Sequence, residues 1–390
     1  MSLYQRNVYL LRALKILKGA MFFLPTISLF YASNGLSTTD LFIVQALFSV
    51  AMIFFEIPSG YFADRLGTVN SIRLGCFVYA FGYWVYAFSC NFTTILIAEL
   101  LLGIGLAFVS GADSALLYDS LMSESKEGTY KKELGKQSVG FSVSEAGAAL
   151  LGGFLAAISL RLPLYVQAVV MSCIVPLSLF LVHTKLHKRT THRSVLHDMA
   201  FVVHDAFKKK AVLGFVLHGS IISASTLTMV WFVQPYLTAS AVPIVYFGAV
   251  WAVINLSVGF FALYADRFEK LCGLNNSLLV LSLAVGVSYI LLGTTYSWVL
   301  LPLLFVFAFT RSARSAIVED YLHARTESSV RATILSVNSM LSRLIFAVCS
   351  PFLGYMADAY TLGTALTISG IFFTVLGSGA FLLYRTDRAH

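Results

Sequence analysis

Along this chain, apolar runs of roughly 20 residues alternate with short polar interruptions, the length at which an α-helix crosses the hydrocarbon core of a bilayer. The pattern predicts helices at about 9–33, 39–62, 73–90, 94–121, 137–158, 163–183, 211–236, 243–265, 274–293, 297–320, 333–356 and 362–384. Most connections are short, such as Asn34 to Thr39 and Ser89 to Thr93. One is long. Residues 184–210 separate a first half, 1–183, from a second, 211–390, each with six predicted helices. The expected fold is therefore an all-α membrane protein of twelve transmembrane helices in two six-helix halves.

Composition agrees: 58% of the 390 residues are hydrophobic, 12% are charged and the mean hydropathy is +0.80. Soluble domains carry about a quarter charged residues, so little chain remains for one here. A formal charge of +8 would suit nucleic acid, but the placement of the basic residues argues against that partner. With the N-terminus inside, Arg6, Arg12, Arg65, Arg73, Lys126, Lys131, Lys132, Lys136, the run from Lys185 to Lys210, Arg267, Lys270, Arg325, Arg331, Arg385 and Arg388 all fall on the inner side, and only Arg161 lies in an outer loop. This asymmetry predicts a multi-pass inner-membrane protein with both termini cytoplasmic.

The long connection spaces Met199, Val202, Val203, Ala206 and Phe207 on one helical face beside Lys208 to Lys210, so it is expected to lie on the inner membrane surface as an amphipathic helix. Its histidines, with His183 and His187 four apart, read as part of a solvated basic linker, since no acid or cysteine completes a metal site. The five cysteines show neither a paired framework nor ligand spacing and read as small packing residues. No cofactor or metal is expected. The first apolar segment carries Arg12, Lys15 and Lys18 and reads as a retained helix, not a cleaved leader.

The stretch Gly60-Tyr61-Phe62-Ala63-Asp64-Arg65-Leu66-Gly67 lies between two apolar runs and reads as a tight turn between membrane helices. Gly60 is expected to admit a neighbouring helix, Gly67 to take a left-handed conformation and Asp64 to face a helix N-terminus. The run resembles the G-x-L-A-D-R-x-G-R-K loop signature of the major facilitator superfamily. It matches at Gly60, Ala63, Asp64, Arg65 and Gly67 and departs where Thr68 and Val69 replace two basic residues. Ala265-Asp266-Arg267 nearly repeats it 202 residues later. Lys18-Gly19 likewise returns as His218-Gly219 at an offset of 200, Asp113 and Asp119 as Arg314 and Asp320 at 201, and Ser138-Val139 and Phe154-Leu155 as Ser336-Val337 and Phe352-Leu353 at 198. Near-constant offsets imply a duplicated six-helix unit. The resemblance implies two pseudo-symmetric halves around a midplane site and secondary transport by alternating access.

Ionisable residues inside a bilayer are costly and are functional candidates by default. Lys18 and His218 sit at matching depth in the first and seventh helices, which line the central cavity in the family. Each either contacts substrate or a coupling proton, or is satisfied locally: Lys18 by snorkelling, His218 by a neighbouring carbonyl. Glu99 stands where related transporters often place an arginine in R-x-x-x-G-x-G, with Gly103 and Gly105 matching. A carboxylate in a poorly hydrated cavity is easier to neutralise than to keep charged, so Glu99 is a candidate proton carrier. Asp113 and Arg314, like Glu145 and Arg343, are symmetry mates of opposite sign, and Arg311 stands one turn from Arg314. Either these charges pair across the pseudo-symmetry axis, or Arg311, Arg314 or Arg343 engages an anionic group while Asp113 or Glu145 carries protons.

Asp119, expected near Arg65 and Arg73, is assigned with Glu56, Gly60, Asp64, Arg65, Gly67, Asp266, Arg267, Asp320 and Arg331 to an inner gate, Asp64 facing the start of the eleventh helix near Arg331. Phe55-Glu56-Ile57-Pro58-Ser59-Gly60 looks like a variant found in drug-efflux-like members. Gly140, Gly147, Gly152 and Gly153 resemble the exporter motif G-x-x-x-G-P-x-x-G-G, but Ala148 and Ala149 replace its Gly-Pro pair. Phe22, Tyr31, Trp231 and Trp251 suggest an amphipathic organic solute. The expectation is a monomeric, proton-coupled exporter of a drug-like compound, metabolite or siderophore. The alternatives are uptake of an organic anion and a lipid flippase on the same fold. An enzyme is disfavoured because no HExxH-like pair or catalytic serine motif occurs, and a receptor because no added soluble domain is present.

Overall fold

The computed structural model describes residues 3–184, 210–325 and 328–386, and among them every regular element is a helix. The first half comprises α1 (Leu3–Gly19), α2 (Ile27–Ser33), α3 (Thr38–Leu66), α4 (Thr68–Ala87), α5 (Phe92–Val109), α6 (Ala112–Met122), α7 (Tyr130–Ile158), α8 (Leu162–Ser172) and α9 (Ile174–Leu179). The second comprises α10 (Lys210–Ala239), α11 (Phe247–Cys272), α12 (Leu274–Thr294), α13 (Leu304–Arg325), α14 (Ser328–Ala359) and α15 (Leu362–Thr386). Eleven helical segments among the described residues are long and apolar enough to cross a membrane. The expected third span, α4, is not among them; it carries Asn70, Arg73 and the buried Tyr79, Tyr83 and Tyr86, which face protein instead of lipid. The amphipathic helix expected over Met199 to Phe207, and the linker from Lys185 to Lys209, lie outside the described residues.

The helices pack into two compact units. One holds α1, α2, α3 from Leu47 onward, α4 to α9, and residues 243–253 at the start of α11. The other holds α10, α11 from Ile254, α12 to α15, and residues 38–46 at the start of α3. That start is fixed inside the second unit by Asp358 near the end of α14, whose carboxylate accepts from the Thr38 N–H at 3.1 Å, the Thr39 N–H at 2.6 Å and the Thr39 hydroxyl at 2.5 Å. A carboxylate there satisfies orphan donors and complements the positive end of the helix dipole.

The motif around Gly60 differs from its expectation. The helix does not end at residue 62 but runs through Ala63-Asp64-Arg65 to Leu66, and the whole turn is one residue, Gly67, at φ 92°. Among the described residues none stands where a side chain on Gly60 would lie. The second half repeats the arrangement, with α11 running through Ala265-Asp266-Arg267 and Gly273, at φ 75°, joining it to α12. A positive φ at both links explains why glycine occupies each.

Three predicted spans are interrupted, the sixth only at Cys173 between α8 and α9. The first breaks between Gly19 and the 3-10 turn Leu24–Thr26, where Pro25 has no N–H to donate to a helical carbonyl. The fourth breaks at Ser110, which is extended, and Gly111, at φ 79°, before α6 begins. The counterparts of the first and fourth, α10 and α13, run unbroken through the matching positions.

Candidate functional site

The interruptions of the first and fourth spans belong to the first unit, and charged side chains gather beside them. Lys18 lies in the last turn of α1 and Asp113 in the first turn of α6, so each charge complements the dipole of the helix end it occupies. They pair directly, Lys18 Nζ lying 3.5 Å from Asp113 Oδ2. The other oxygen, Oδ1, accepts from the Ser114 N–H at 2.7 Å and the Ser114 hydroxyl at 3.3 Å. One turn and a half earlier on α1, Arg12 pairs with Glu133 of α7, which also takes Lys136 at 2.7 Å. The backbone freed at the first break is held too: the Phe22 N–H donates to Gln167 Oε1 at 2.8 Å, and the Phe22 carbonyl sits where a side chain on Gly152 would stand.

Between α1, α6 and α7 lies a cavity of about 380 Å³, lined by Lys15, Asp113, Ser114, Leu134, Gln137, Ser138 and Phe141. Small-ligand sites run from roughly 300 to 1,000 Å³ and combine apolar walls with a few convergent polar groups, as here. Of its lining only Asp113 was singled out from the sequence as a site residue. From the sequence Lys15 reads only as a basic residue of the first helix, on one face with Lys18.

Glu99 sits elsewhere in the same unit, 5% exposed, at the head of a tyrosine cluster. Tyr31 donates to Glu99 Oε1 at 3.5 Å, Tyr86 donates to the Tyr31 hydroxyl at 2.7 Å, and the hydroxyls of Tyr79 and Tyr83 lie 3.1 Å apart. Phe23 packs edge-on against Tyr83, with ring centroids 5.6 Å apart. Glu145, half-buried on α7, accepts from the Trp251 indole at 3.1 Å. These aromatic residues bring Tyr31 and Trp251 to carboxylates, a pairing that apolar periodicity does not reveal.

In the second unit His218 is fully buried, its Nε2 lying 3.1 Å from the Leu278 carbonyl oxygen, to which it donates, and 2.9 Å from Ser282 Oγ. Its ring thus faces α12, the local arrangement weighed against a cavity role. Arg314 donates to the Gly219 carbonyl at 2.9 Å. Within its own unit Asp113 thus has Lys18 as an ion-pair partner, and Arg314 has a backbone carbonyl within its own. Arg311 is exposed on α13 and Arg343 half-buried on α14.

The gate residues divide. Glu56, Asp64, Arg65, Asp266 and Arg267 are exposed. Arg65 stacks over Tyr61 at 5.0 Å and Arg267 over Tyr264 at 5.7 Å, the same device in both halves. Asp119 is buried, and Arg73 donates to the carbonyls of Leu179 and Leu181 at 3.0 and 2.9 Å, capping the end of α9. The side chains of Asp320 and Arg331 lie outside the described residues. Among the described residues no group of three or more His, Cys, Asp or Glu is placed to hold a metal ion.

Comparison with known proteins gives a consistent result. The profile of the Major Facilitator Superfamily matches residues 16–345. The uncharacterized MFS-type transporter YxaM of Bacillus subtilis (strain 168) is 23% identical over 369 residues, covering 91% of each chain. The quinolone resistance protein NorA of Staphylococcus aureus (strain N315) is 24% identical over 171 residues, 43% of this chain and 42% of that protein. Among solved structures, the fold matches the nucleoside transporter NupG with a TM-score of 0.81 over 100% of both chains at 14% identity. A bacterial homolog of the human lysosomal transporter Spinster matches with a TM-score of 0.79 over 100% of this chain and 98% of the other at 15% identity.

Proposed function

The chain belongs to the Major Facilitator Superfamily, a family of transporters and not of enzymes, and on that footing we propose that it exports an amphipathic organic solute by alternating access in exchange for protons. The observation that carries this reading is the cavity of about 380 Å³ at the interrupted first and fourth spans, where a lysine, an ion-paired aspartate and neutral polar groups share a wall with Leu134 and Phe141. Non-helical backbone at membrane depth is tolerated where it lines a cavity, and discontinuous helices mark binding sites in secondary transporters. A relative named for quinolone resistance supports outward movement of a drug-like compound.

Two carboxylates are placed to carry the proton. Glu99 is buried among phenol hydroxyls that can donate to it or reorient, and Asp113 is balanced by Lys18 at 3.5 Å. Domain roles follow the repeat: residues 1–183 and 211–390 act as two halves joined by 184–210. The motif ends around Asp64 and Asp266 then serve as the inner gate, with Asp119 behind them. The protein works as a monomer in the inner membrane with both termini cytoplasmic, the orientation that the basic residues favour. Inward movement of an organic anion is the second reading, favoured by Lys15, which faces the cavity without an ion-pair partner among the described residues.

Reconstitution in proteoliposomes tests the proposal. A fluorescent quinolone or another member of a panel of amphipathic solutes should move only when a pH gradient is imposed, and Glu99→Gln or Asp113→Asn should reduce that movement by about tenfold or more, the scale of a lost proton carrier. Movement indifferent to the gradient would overturn coupling, and unchanged transport in both variants and in Glu145→Gln would reject carboxylate carriers.

A further inference from the structure

We propose that Lys15 is the anion-binding residue of the first-unit cavity, which therefore takes a small monovalent organic anion with a flat apolar body. The case begins with the charges on α1. Arg12, Lys15 and Lys18 recur every three residues and so share one helix face. Two of them are answered: Arg12 by Glu133 and Lys18 by Asp113. Lys15 forms no ion pair among the described residues, and its ammonium stands 6.0 Å from the centroid of the Phe141 ring. A cation without an ion-pair partner at membrane depth is costly, and the cost falls when an anion arrives.

The cavity's other walls select what that anion is. Asp113 faces Lys18 with one oxygen and accepts two bonds from Ser114 with the other, and its single charge, which also attracts Lys15, is shared between two ammonium groups, so that the three side chains carry a net charge of about +1. It also sits at the N-terminal end of α6, whose dipole adds to a positive field. One net positive charge matches one negative charge. Gln137 and Ser138 bring an amide and a hydroxyl to the same wall, and both can donate to a carboxylate. Leu134 and the Phe141 ring offer nothing polar from their side chains and suit an aromatic or aliphatic plate. An organic cation would meet Lys15 as a like charge, and a neutral solute would leave it unpaired. This deepens the transport reading by naming the class of solute, and it rests on that reading only in treating the bound anion as cargo.

The test is direct binding to the purified full-length protein in detergent micelles, by calorimetry, with 1-naphthoate and its neutral isostere 1-naphthamide. Naphthoate should bind about tenfold tighter or more, the margin expected of a charge-assisted contact over a neutral one. Lys15→Gln should erase that preference by weakening naphthoate binding far more than naphthamide binding, and Lys15→Arg should retain it. Equal affinity for the two compounds, no binding of either, or a preference that survives in Lys15→Gln would overturn the proposal. If Lys15→Gln fails to fold, the two-compound comparison on the wild-type protein decides alone. Binding is read without a membrane gradient, so failure here leaves the transport result standing. Preserved naphthoate binding with no gradient-driven movement would instead sink the transport reading.

Discussion

Lys18 and Asp113 hold together two helix ends that the chain has deliberately left open. Side-chain exposures of 12% and 21% place the pair between a solvated ion pair and a fully buried one. Removing either partner strands a charge, so Lys18→Gln or Asp113→Asn should each cost about 2 kcal/mol, below the fully buried limit. The double variant should cost less than the two losses summed, since residues in direct contact couple by about 0.5–3 kcal/mol. Thermal melting of the four proteins in one detergent measures this cycle, and strictly additive losses would mean that the pair contributes nothing as a pair. The mates of these residues show how duplication kept the location and changed the chemistry. Where the first half joins its first and fourth spans by Lys18 and Asp113, the second joins its own by Arg314 and the Gly219 carbonyl. His218, at the place of Lys18, turns toward α12.

Among the elements, the start of α3 is the sharpest test of helix physics. Asp358 caps it with three bonds, so Asp358→Ala should destabilise the protein by about 1–2 kcal/mol and speed hydrogen exchange at the Thr38 and Thr39 amides, with Asp358→Asn retaining part of the cap. Unaltered exchange at those amides would count against capping. Most elements were legible, because a bilayer-spanning run announces itself by length alone. The predicted 274–293 and 362–384 differ from α12 and α15 by only a few residues at either end. Where the sequence misled, the cause is local. Gly60 to Arg65 carries turn-like residues, yet tertiary packing carries the helix through them and leaves only Gly67 to turn. The breaks at residues 20–23 and 110–111 lie inside uninterrupted apolar runs, where hydropathy is blind and only Pro25 and Gly111 give a hint. The site was half legible for the same reason. Deep charges such as Glu99 and Asp113 stand out in an apolar run, whereas Gln137, Ser138 and Phe141 are ordinary residues until the fold sets them around Lys15.

At the scale of the whole molecule, Gly67 and Gly273 turn the chain in the same way in the two halves, and the distribution of basic residues predicts a direction in the membrane. Cys90 gives that assignment a handle. It is exposed in the turn between α4 and α5, with its sulfur 3.4 Å from Arg161 Nη2, on the side expected to face outward. In a variant retaining Cys90 as its single cysteine, a membrane-impermeant maleimide should label intact cells, while a variant retaining only Cys272 should react only after the cells are opened. The reverse pattern would invert the topology.

Among the described residues the first and fourth rods are segmented in the leading half and continuous at the matching positions of the trailing one. A segmented rod can swivel or shorten a few residues at a time without melting, whereas a continuous one moves whole. If the proposed transport role holds, local adjustment around a bound solute would fall first to residues 19–23 and 110–112, since the matching stretches of α10 and α13 are continuous helix.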